Sequence, residues 1–430
     1  MKKNLLALAT LSIVATAAHA QDNVELYGVL DEGFAHIDHS LSANDQFVFT
    51  LNPYNITAQN QNSVNALVSG GASMSRWGIQ GTEDLGGGMK AFFKLESAIN
   101  LGGGEIANNG QTVLNNANSL TTISGASAIN GQLFSRAAYV GIGDANLGSI
   151  QLGRTTAFSL DQTVEFDPLH GSGLYSPLGF SGQIGGGLGI TETTRLDNSI
   201  KYENKLEGIG FGLQYKIAQT SSSDAADVGS VLEGMLSYQT GGLNLKLTGS
   251  QAKNTPALSF KLFTNDVGLR VSDTTGYMLT GKYDFTPAFA LKAGYEHTVQ
   301  STPSAANNWG TQITTYYGMS LAGLVTAKAF DPTWGNAPVT TAWIGEGYKY
   351  SDNLVLDAGY YNVNNGGNNH NDQYTIQALS FMADYYFNKR ADVYVGLMFP
   401  QYNGPYLAQQ NPPTLASSNA IYGAGLRLKF

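Results

Sequence analysis

Apolar and polar residues alternate one for one in segment after segment of this 430-residue chain, and that pattern restricts the fold more than any other feature. Successive strand residues point to opposite faces, so strict alternation marks a sheet with one apolar and one wet side. In 210–217, Phe211, Leu213, Tyr215 and Ile217 share one face; Gly210, Gly212, Gln214 and Lys216 share the other. In 243–250, Leu243, Leu245 and Leu247 oppose Asn244, Lys246 and Thr248. In 288–296, Phe289, Leu291, Ala293 and Tyr295 oppose Lys292, Gly294 and Glu296. In 391–399, Ala391, Val393, Val395, Leu397 and Phe399 oppose Asp392, Tyr394 and Gly396. In 421–430, Tyr422, Ala424, Leu426, Leu428 and Phe430 oppose Gly423, Arg427 and Lys429. After residue 20 no apolar run is long enough to cross a membrane as a helix. A transmembrane barrel hides its hydrophobicity in this way, because only every second residue meets lipid.

The N-terminus supplies an address. Lys2 and Lys3 precede a short apolar stretch, Leu5 to Val14, and Ala18-His19-Ala20 has the small-x-small form of a secretory cleavage site. Residues 1–20 are therefore predicted to be a signal peptide, and 21–430 the barrel domain. The chain carries a formal charge of −9, which becomes −11 once Lys2 and Lys3 are removed. Such a surface disfavours nucleic acid. Cys is absent, which excludes disulfides and thiol chemistry. Gly supplies 52 residues, about 12% against a usual ~7%.

Turn chemistry divides the connections into two kinds. Glu83 to Gly88 (EDLGGG), Asp144 to Gly148 (DANLG), Thr240-Gly241-Gly242, Ser351-Asp352-Asn353 and Asn388-Lys389-Arg390 suit tight hairpins. Long polar connections fall near 39–72, 102–132, 156–193, 301–337 and 403–418. Short turns at one rim and long loops at the other are the asymmetry of outer-membrane barrels. The pattern predicts an all-β, antiparallel transmembrane barrel of about 16 strands: 23–37, 73–83, 88–101, 133–143, 147–155, 194–203, 208–219, 228–240, 242–253, 273–285, 287–300, 338–350, 353–363, 373–387, 390–402 and 419–430. A sheet in lipid must pair every edge, so the first and last segments should meet. Trp77, Tyr202, Tyr238, Tyr283, Phe285, Phe387 and Phe399 are candidates for interfacial aromatic girdles.

Several blocks resemble the trimeric general porins of Gram-negative bacteria, especially the β-proteobacterial branch. They are Leu26-Tyr27-Gly28-Val29-Leu30-Asp31, then Ser75-Arg76-Trp77-Gly78-Ile79-Gln80-Gly81-Thr82-Glu83-Asp84-Leu85-Gly86-Gly87-Gly88. Phe134-Ser135-Arg136-Ala137-Ala138-Tyr139-Val140-Gly141, Leu152-Gly153-Arg154 and Asp197-Asn198-Ser199-Ile200-Lys201-Tyr202 follow in order, with Phe430 last. The resemblance implies a homotrimer in the outer membrane that passes small hydrophilic solutes. It also implies recognition of Phe430 by the barrel-assembly machinery. It implies no cofactor, metal or enzymatic activity.

In that family the third long loop folds into the barrel and sets the pore width, which here implicates 156–193. The loop carries Asp161, Glu165, Asp167 and Glu192, with no Lys or Arg between Arg154 and Arg195. Val164-Glu165-Phe166 resembles the family's acidic tip motif, and Phe166, Tyr175, Phe180, Pro168 and Pro177 can pack the loop on the wall. The family faces it with a basic cluster, for which Arg76, Arg136 and Arg195 stand at the corresponding positions. Parity agrees: Arg76, Gly78 and Gln80 oppose Trp77 and Ile79, and Arg195, Asp197, Ser199 and Lys201 oppose Leu196 and Ile200. Lys90 and Lys94 also share the wet face, against Phe93 and Leu95, while Arg154 sits where the strand enters the loop. Enteric porins have a lysine where this chain has Val29, with Asp31 two residues on, so the sign of ion preference stays open.

Other classes fit less well. His36, His39, His170, His297 and His370 lack a Ser and carboxylate arrangement for catalysis. Gly185-Gly186-Gly187 has no strand-to-helix frame for phosphate. No metal-ligand spacing occurs. A soluble secreted β-sandwich does not need so many lipid-type strands. A substrate-selective channel, with a binding site among aromatics such as Tyr316-Tyr317 and Trp334, is the remaining alternative.

Overall fold

The computed structural model describes residues 24–38, 63–106, 133–180, 195–217, 230–261, 266–302, 304, 337–367, 373–404 and 420–430. The cleavage site, Glu192, the triple glycine at 185–187, His39, His370, Tyr316, Tyr317 and Trp334 lie outside them. The described strands are β1 (Val24–Asp38), β2 (Ser63–Ser69), β3 (Arg76–Gly86), β4 (Met89–Asn100), β5 (Glu105–Ile106), β6 (Ala137–Asp144), β7 (Gly148–Thr156), β8 (Arg195–Leu206) and β9 (Ile209–Lys216). They continue as β10 (Ser230–Thr240), β11 (Leu243–Lys261), β12 (Asp266–Thr286), β13 (Phe289–Ser301), β14 (Ala337–Lys349), β15 (Leu354–Asn365), β16 (Tyr374–Asn388), β17 (Ala391–Asn403) and β18 (Ala420–Lys429). Two helices, α1 (Phe158–Phe166) and α2 (Pro177–Phe180), lie between β7 and β8.

All these strands join one antiparallel sheet except β5, a two-residue spur on β4. Because β2 and β3 share β1 as partner, one above the other, they make a single wall strand, and the wall has sixteen. The sheet closes as alternation in lipid requires. Val29–Asp38 pairs with Lys429–Ala420. Gly28 and Phe430 then exchange backbone hydrogen bonds of 2.9 and 3.1 Å. No edge is left bare at the seam.

The short turns form where Gly, Asn and Asp stood. Gly86, Gly87 and Gly88 adopt φ of 81°, 66° and 91°, values costly for any residue with a Cβ. Asp144 Oδ1 accepts the Asn146 and Leu147 N–H groups, and Asn388 Oδ1 those of Arg390 and Ala391. Beside this rim the aromatics touch on the outer face: Tyr283 and Phe285 at 4.7 Å, Phe285 and Phe289 at 5.6 Å, Tyr385 and Phe387 at 5.5 Å. The Phe134 ring packs against Trp77 at 6.3 Å.

Three boundaries differ from the sequence expectation. Residues 63–69, read above as loop, form β2, a strand that alternation over so short a stretch does not reveal. The β11–β12 hairpin runs on through 254–261 and 266–272, well past the predicted ends at 253 and 273. In β8 the alternation breaks at Asn198, whose φ is +50°, beside a register shift between Gly153 and Thr155. That bulge brings Leu196, assigned to the lipid face, into a fully buried cluster with Ala157, Val231 and Ala252.

Candidate functional site

The segment after β7 lies inside the barrel. Arg154 anchors its base: its Nε donates to Ser135 O at 2.8 Å, and its guanidinium pairs with Asp197. Helix α1 begins at Ala157, whose side chain cannot cap. The wall supplies the cap instead. Glu233 of β10, 1% exposed, accepts the Phe158 N–H at 2.6 Å and the Ser159 hydroxyl at 2.8 Å. A carboxylate at this end also answers the helix dipole. Midway, Gln162 donates to Lys246 O at 3.0 Å and Met278 O at 3.1 Å and accepts from Thr248. At the far end Trp343 Nε1 donates to Phe166 O at 3.1 Å. Glu233→Ala is expected to free the loop's entry, because two hydrogen bonds to a charged acceptor are lost, each worth about 1.5–3 kcal/mol. Open-channel current noise should rise in planar bilayers while the barrel's heat-modifiable gel shift stays the same.

Beyond α1 the chain turns on Asp167. Its carboxylate accepts the Gly171 N–H at 2.6 Å, the Leu169 N–H at 3.2 Å and the Tyr361 hydroxyl at 2.5 Å. Lys292 Nζ donates to Asp167 O at 2.9 Å. Asp167 is thus fully buried and shapes the turn; it does not stand on the loop's acidic edge with Asp161 and Glu165. Phe166 and Tyr175 are 0% exposed, as their packing role anticipated, whereas the Phe180 side chain lies outside the described residues. Burial pushes the Tyr175 hydroxyl well above the phenol range, with the Asp31 charge adding to it, so it stays protonated.

The inner wall is shaped to receive this loop. A Cβ at Gly345 would lie 2.6 Å from Pro168 Cβ, one at Gly359 2.9 Å from Leu169 Cδ2, and one at Gly396 2.5 Å from Tyr175 Cδ2. These inward glycines are sockets for the loop's apolar side chains, one physical reason for the high glycine content. Leu169, Leu174, Tyr175 and Leu178 pack there against Trp343, Tyr361, Met382, Tyr394 and Met398.

What the loop leaves exposed is its charged lip. The Asp161 and Glu165 side chains are 42% and 39% exposed. Each is held by a wall lysine: Lys201 Nζ lies 2.6 Å from Asp161, and Lys246 Nζ 2.5 Å from Glu165. Helix α1 rests on β10 to β13, about half-way round the ring from β3, β4 and β6. Those strands carry the basic cluster. Around Glu96 gather Arg136 at 2.6 Å, Lys94 at 3.4 Å and Arg76 at 3.9 Å, and Tyr27 donates to it at 2.8 Å. Arg76 and Lys94 keep about a third of their side chains open, at 29% and 30%. Arg195 is buried.

Loop and wall border one cavity. A cavity of about 740 Å³ is lined by Lys90 of β4 and by Glu165 of α1, and reaches the short-turn rim at Gly88 and Gly148. Glu96, Glu233, Lys201, Lys246 and Lys292 were not singled out as site residues from sequence. Three of them carried a signal, since Lys201, Lys246 and Lys292 fall on the wet parity; which of these meets the loop is a matter of tertiary register. Glu96 and Glu233 are located only by their hydrogen bonds.

A family model described as Gram-negative porin matches residues 7–405. An outer membrane porin protein of Bordetella pertussis is 30% identical over 297 residues, 66% of this chain and 66% of that protein. Outer membrane porin protein 32 of Delftia acidovorans is 30% identical over 256 residues, 59% of this chain and 60% of that one. The chain therefore spans about two thirds or less of the length of these curated relatives. Among solved structures, an anion-selective porin from Comamonas acidovorans superposes with a TM-score of 0.63 at 19% identity, covering 95% of this chain and 99% of that one. A trimer form of OmpT, an outer membrane protein of Vibrio cholerae, gives 0.55 at 14% identity, covering 95% and 99%. At these identities the two structures show a common fold.

Proposed function

The chain belongs to the Gram-negative porin family, a family of outer-membrane channels rather than enzymes, and we propose that its lumen is a general diffusion path for small hydrophilic solutes and ions. The observation that carries this reading is the cavity inside the barrel, bordered by Glu165 of the loop and by Lys90 of the wall. A narrow aqueous passage needs no covalent chemistry; its shape and field do the selecting. Asp161 and Glu165 form one side, and Arg76, Lys94 and Arg136 the other, with Arg195, Arg154 and Lys90 extending the positive arc. Polar solutes orient across such a field, whereas apolar ones must displace ordered water.

The charge balance points to a weak anion preference. Asp161 and Glu165 are each paired with a wall lysine, which offsets part of the lip's negative charge. Across from it three cations share the single carboxylate of Glu96. The mature chain begins at Gln21 and assembles as a closed homotrimer, as in the trimer form of the similar Vibrio protein. The exposed Phe430 ring at the barrel seam is the contact offered to the assembly machinery.

Liposome swelling tests the reading. Purified trimers should admit uncharged sugars at rates that fall smoothly with size and do not saturate. Uptake confined to one solute class, with competition inside it, would favour the substrate-selective alternative. No swelling at all would refute both.

A further inference from the structure

The break between β2 and β3 is built as a latch. Residues 70–75 leave the sheet just where β1 changes partner, from Arg76 opposite Val29 to Ser69 opposite Glu32. Asp31 faces the gap and fills it with its own backbone: Gly70 N donates to Asp31 O at 2.8 Å, and the Ser75 hydroxyl accepts from Asp31 N and donates to Asp31 O, both at 2.9 Å. The side chain, fully buried, does more. One carboxylate oxygen accepts the Ser73 N–H at 2.6 Å and the Ala72 N–H at 3.1 Å; the other accepts the Tyr394 hydroxyl at 2.6 Å. Arg427 Nη1 secures the same segment through the Ser73 hydroxyl at 2.7 Å.

The held segment presents one carbonyl to the lumen. Gly71 O accepts the Ser172 hydroxyl at 2.7 Å and the Leu174 N–H at 3.1 Å. Ser172 and Leu174 belong to the constriction loop, beyond its turn at Asp167. Glu233 clamps the loop's entry, the contacts of Gln162, Phe166 and Asp167 hold its middle, and Gly71 tethers its far reach. Position 71 must lack a side chain, because a Cβ there would lie 2.5 Å from the Tyr394 hydroxyl oxygen.

Resting on the channel reading above, we infer that Asp31 is a positioning residue for the pore. Its carboxylate shapes the 70–75 segment so that Gly71 O tethers the constriction loop, and loss of the tether lets the loop leave the wall. Nothing in the covalent or charge inventory of the pore changes when the tether breaks; only loop position does.

Single-channel recording in planar bilayers tests this with four variants of the full trimer. Ser172→Ala and Tyr394→Phe change no charge. Tyr394→Phe removes the buried bond to Asp31; Ser172→Ala removes the bond to Gly71 O and those its oxygen accepts from Leu174 N–H at 3.4 Å and Tyr175 N–H at 3.0 Å. Each variant should raise the occupancy of additional current levels at least about fivefold, the population equivalent of one such bond. Asp31→Ala should do so more strongly. Asp31→Asn keeps an acceptor for the Ala72 and Ser73 N–H groups and an amide that can donate to Tyr394, and should stay close to wild type. If Asp31→Asn and Asp31→Ala shift the current alike while Ser172→Ala and Tyr394→Phe are silent, charge rather than tethering is at work and the inference fails. Wild-type protein that conducts with all four variants identical also overturns it, whereas wild-type protein that never conducts overturns the channel reading. Heat-modifiable migration, unchanged in each variant, shows that the barrel has folded.

Discussion

Replacing Gly396 with leucine should cut single-channel conductance by about half or more, since an overpacked site expels whichever neighbour can move. A Cβ at 396 would stand 2.5 Å from Tyr175 Cδ2, and relaxed carbon contacts lie at about 3.5–4.0 Å. The wall cannot yield. Strand β17 is paired on both sides, Met382 opposite Gly396 in β16 and Gly423 opposite it in β18. The Tyr175 ring, which meets Tyr394 edge-on at 6.3 Å, is the mobile member. With the wall behind it, its exit runs into the lumen, and the segment tied to it follows. Tyr175→Ala removes the ring that collides. Combined with Gly396→Leu it should recover most of the lost conductance, a coupling that independent sites do not show. Conductance unchanged by Gly396→Leu, or no recovery in the double variant, would mean that Tyr175 does not seat the loop there.

Removing Arg76 and Arg136 together should shift ion preference toward cations. Glu96 would keep only Lys94, 3.4 Å away, in place of three neighbours. A unit charge about 6 Å from a passing ion contributes roughly 0.7 kcal/mol in water, a factor of about three in relative permeability, and two such charges together up to about tenfold. The reversal potential across a KCl gradient reads this directly. The shift should be large in dilute salt and shrink near 1 M, where screening acts within about 3 Å. An unchanged reversal potential and conductance would show that these guanidiniums do not border the passage. Arg136→Lys should preserve the sign but lose some of the effect, because a lysine lacks the planar fork that sets Arg136 Nε 2.6 Å from Glu96.

Much of the barrel was legible because one physical rule acts at every residue. Lipid outside and water inside impose alternation, so Phe211, Leu213 and Tyr215 are exposed on the outer face while Gln214 and Lys216 are buried within. The hairpins at 86–89 and 388–391 were equally local, since positive φ and Asn side-chain acceptors write themselves into a few residues. Closure followed from the cost of bare edges. The site was legible in part. Parity placed Arg76 and Lys94 on the lumen side, the family resemblance pointed to Arg136, and the acidic run at 161–167 marked the loop.

What escaped was everything set by contacts distant in sequence. Asp167 looks like Asp161 in a linear reading, yet Tyr361, 194 residues away, draws it into the wall. Glu233 reads as one more lumen charge until α1 is seen to need a cap its own Ala157 cannot provide. Asn198 shows why parity is fragile: one bulged residue breaks the alternation, and Leu196 changes face. The 70–75 break was hidden for a related reason, because its small residues carry no alternation and its purpose lies in Gly71 O, a backbone atom.

A sixteen-stranded wall around a permanent aqueous passage, narrowed but not sealed by the loop at 157–178, makes a direct demand on conductance. Planar-bilayer recording of the purified protein in KCl of increasing concentration tests it most directly. A trimer of such passages inserts stepwise in groups of three equal levels, with conductance rising in proportion to salt. Conductance that saturates with salt, or a bilayer that stays silent after heat-modifiable barrels have inserted, would contradict it.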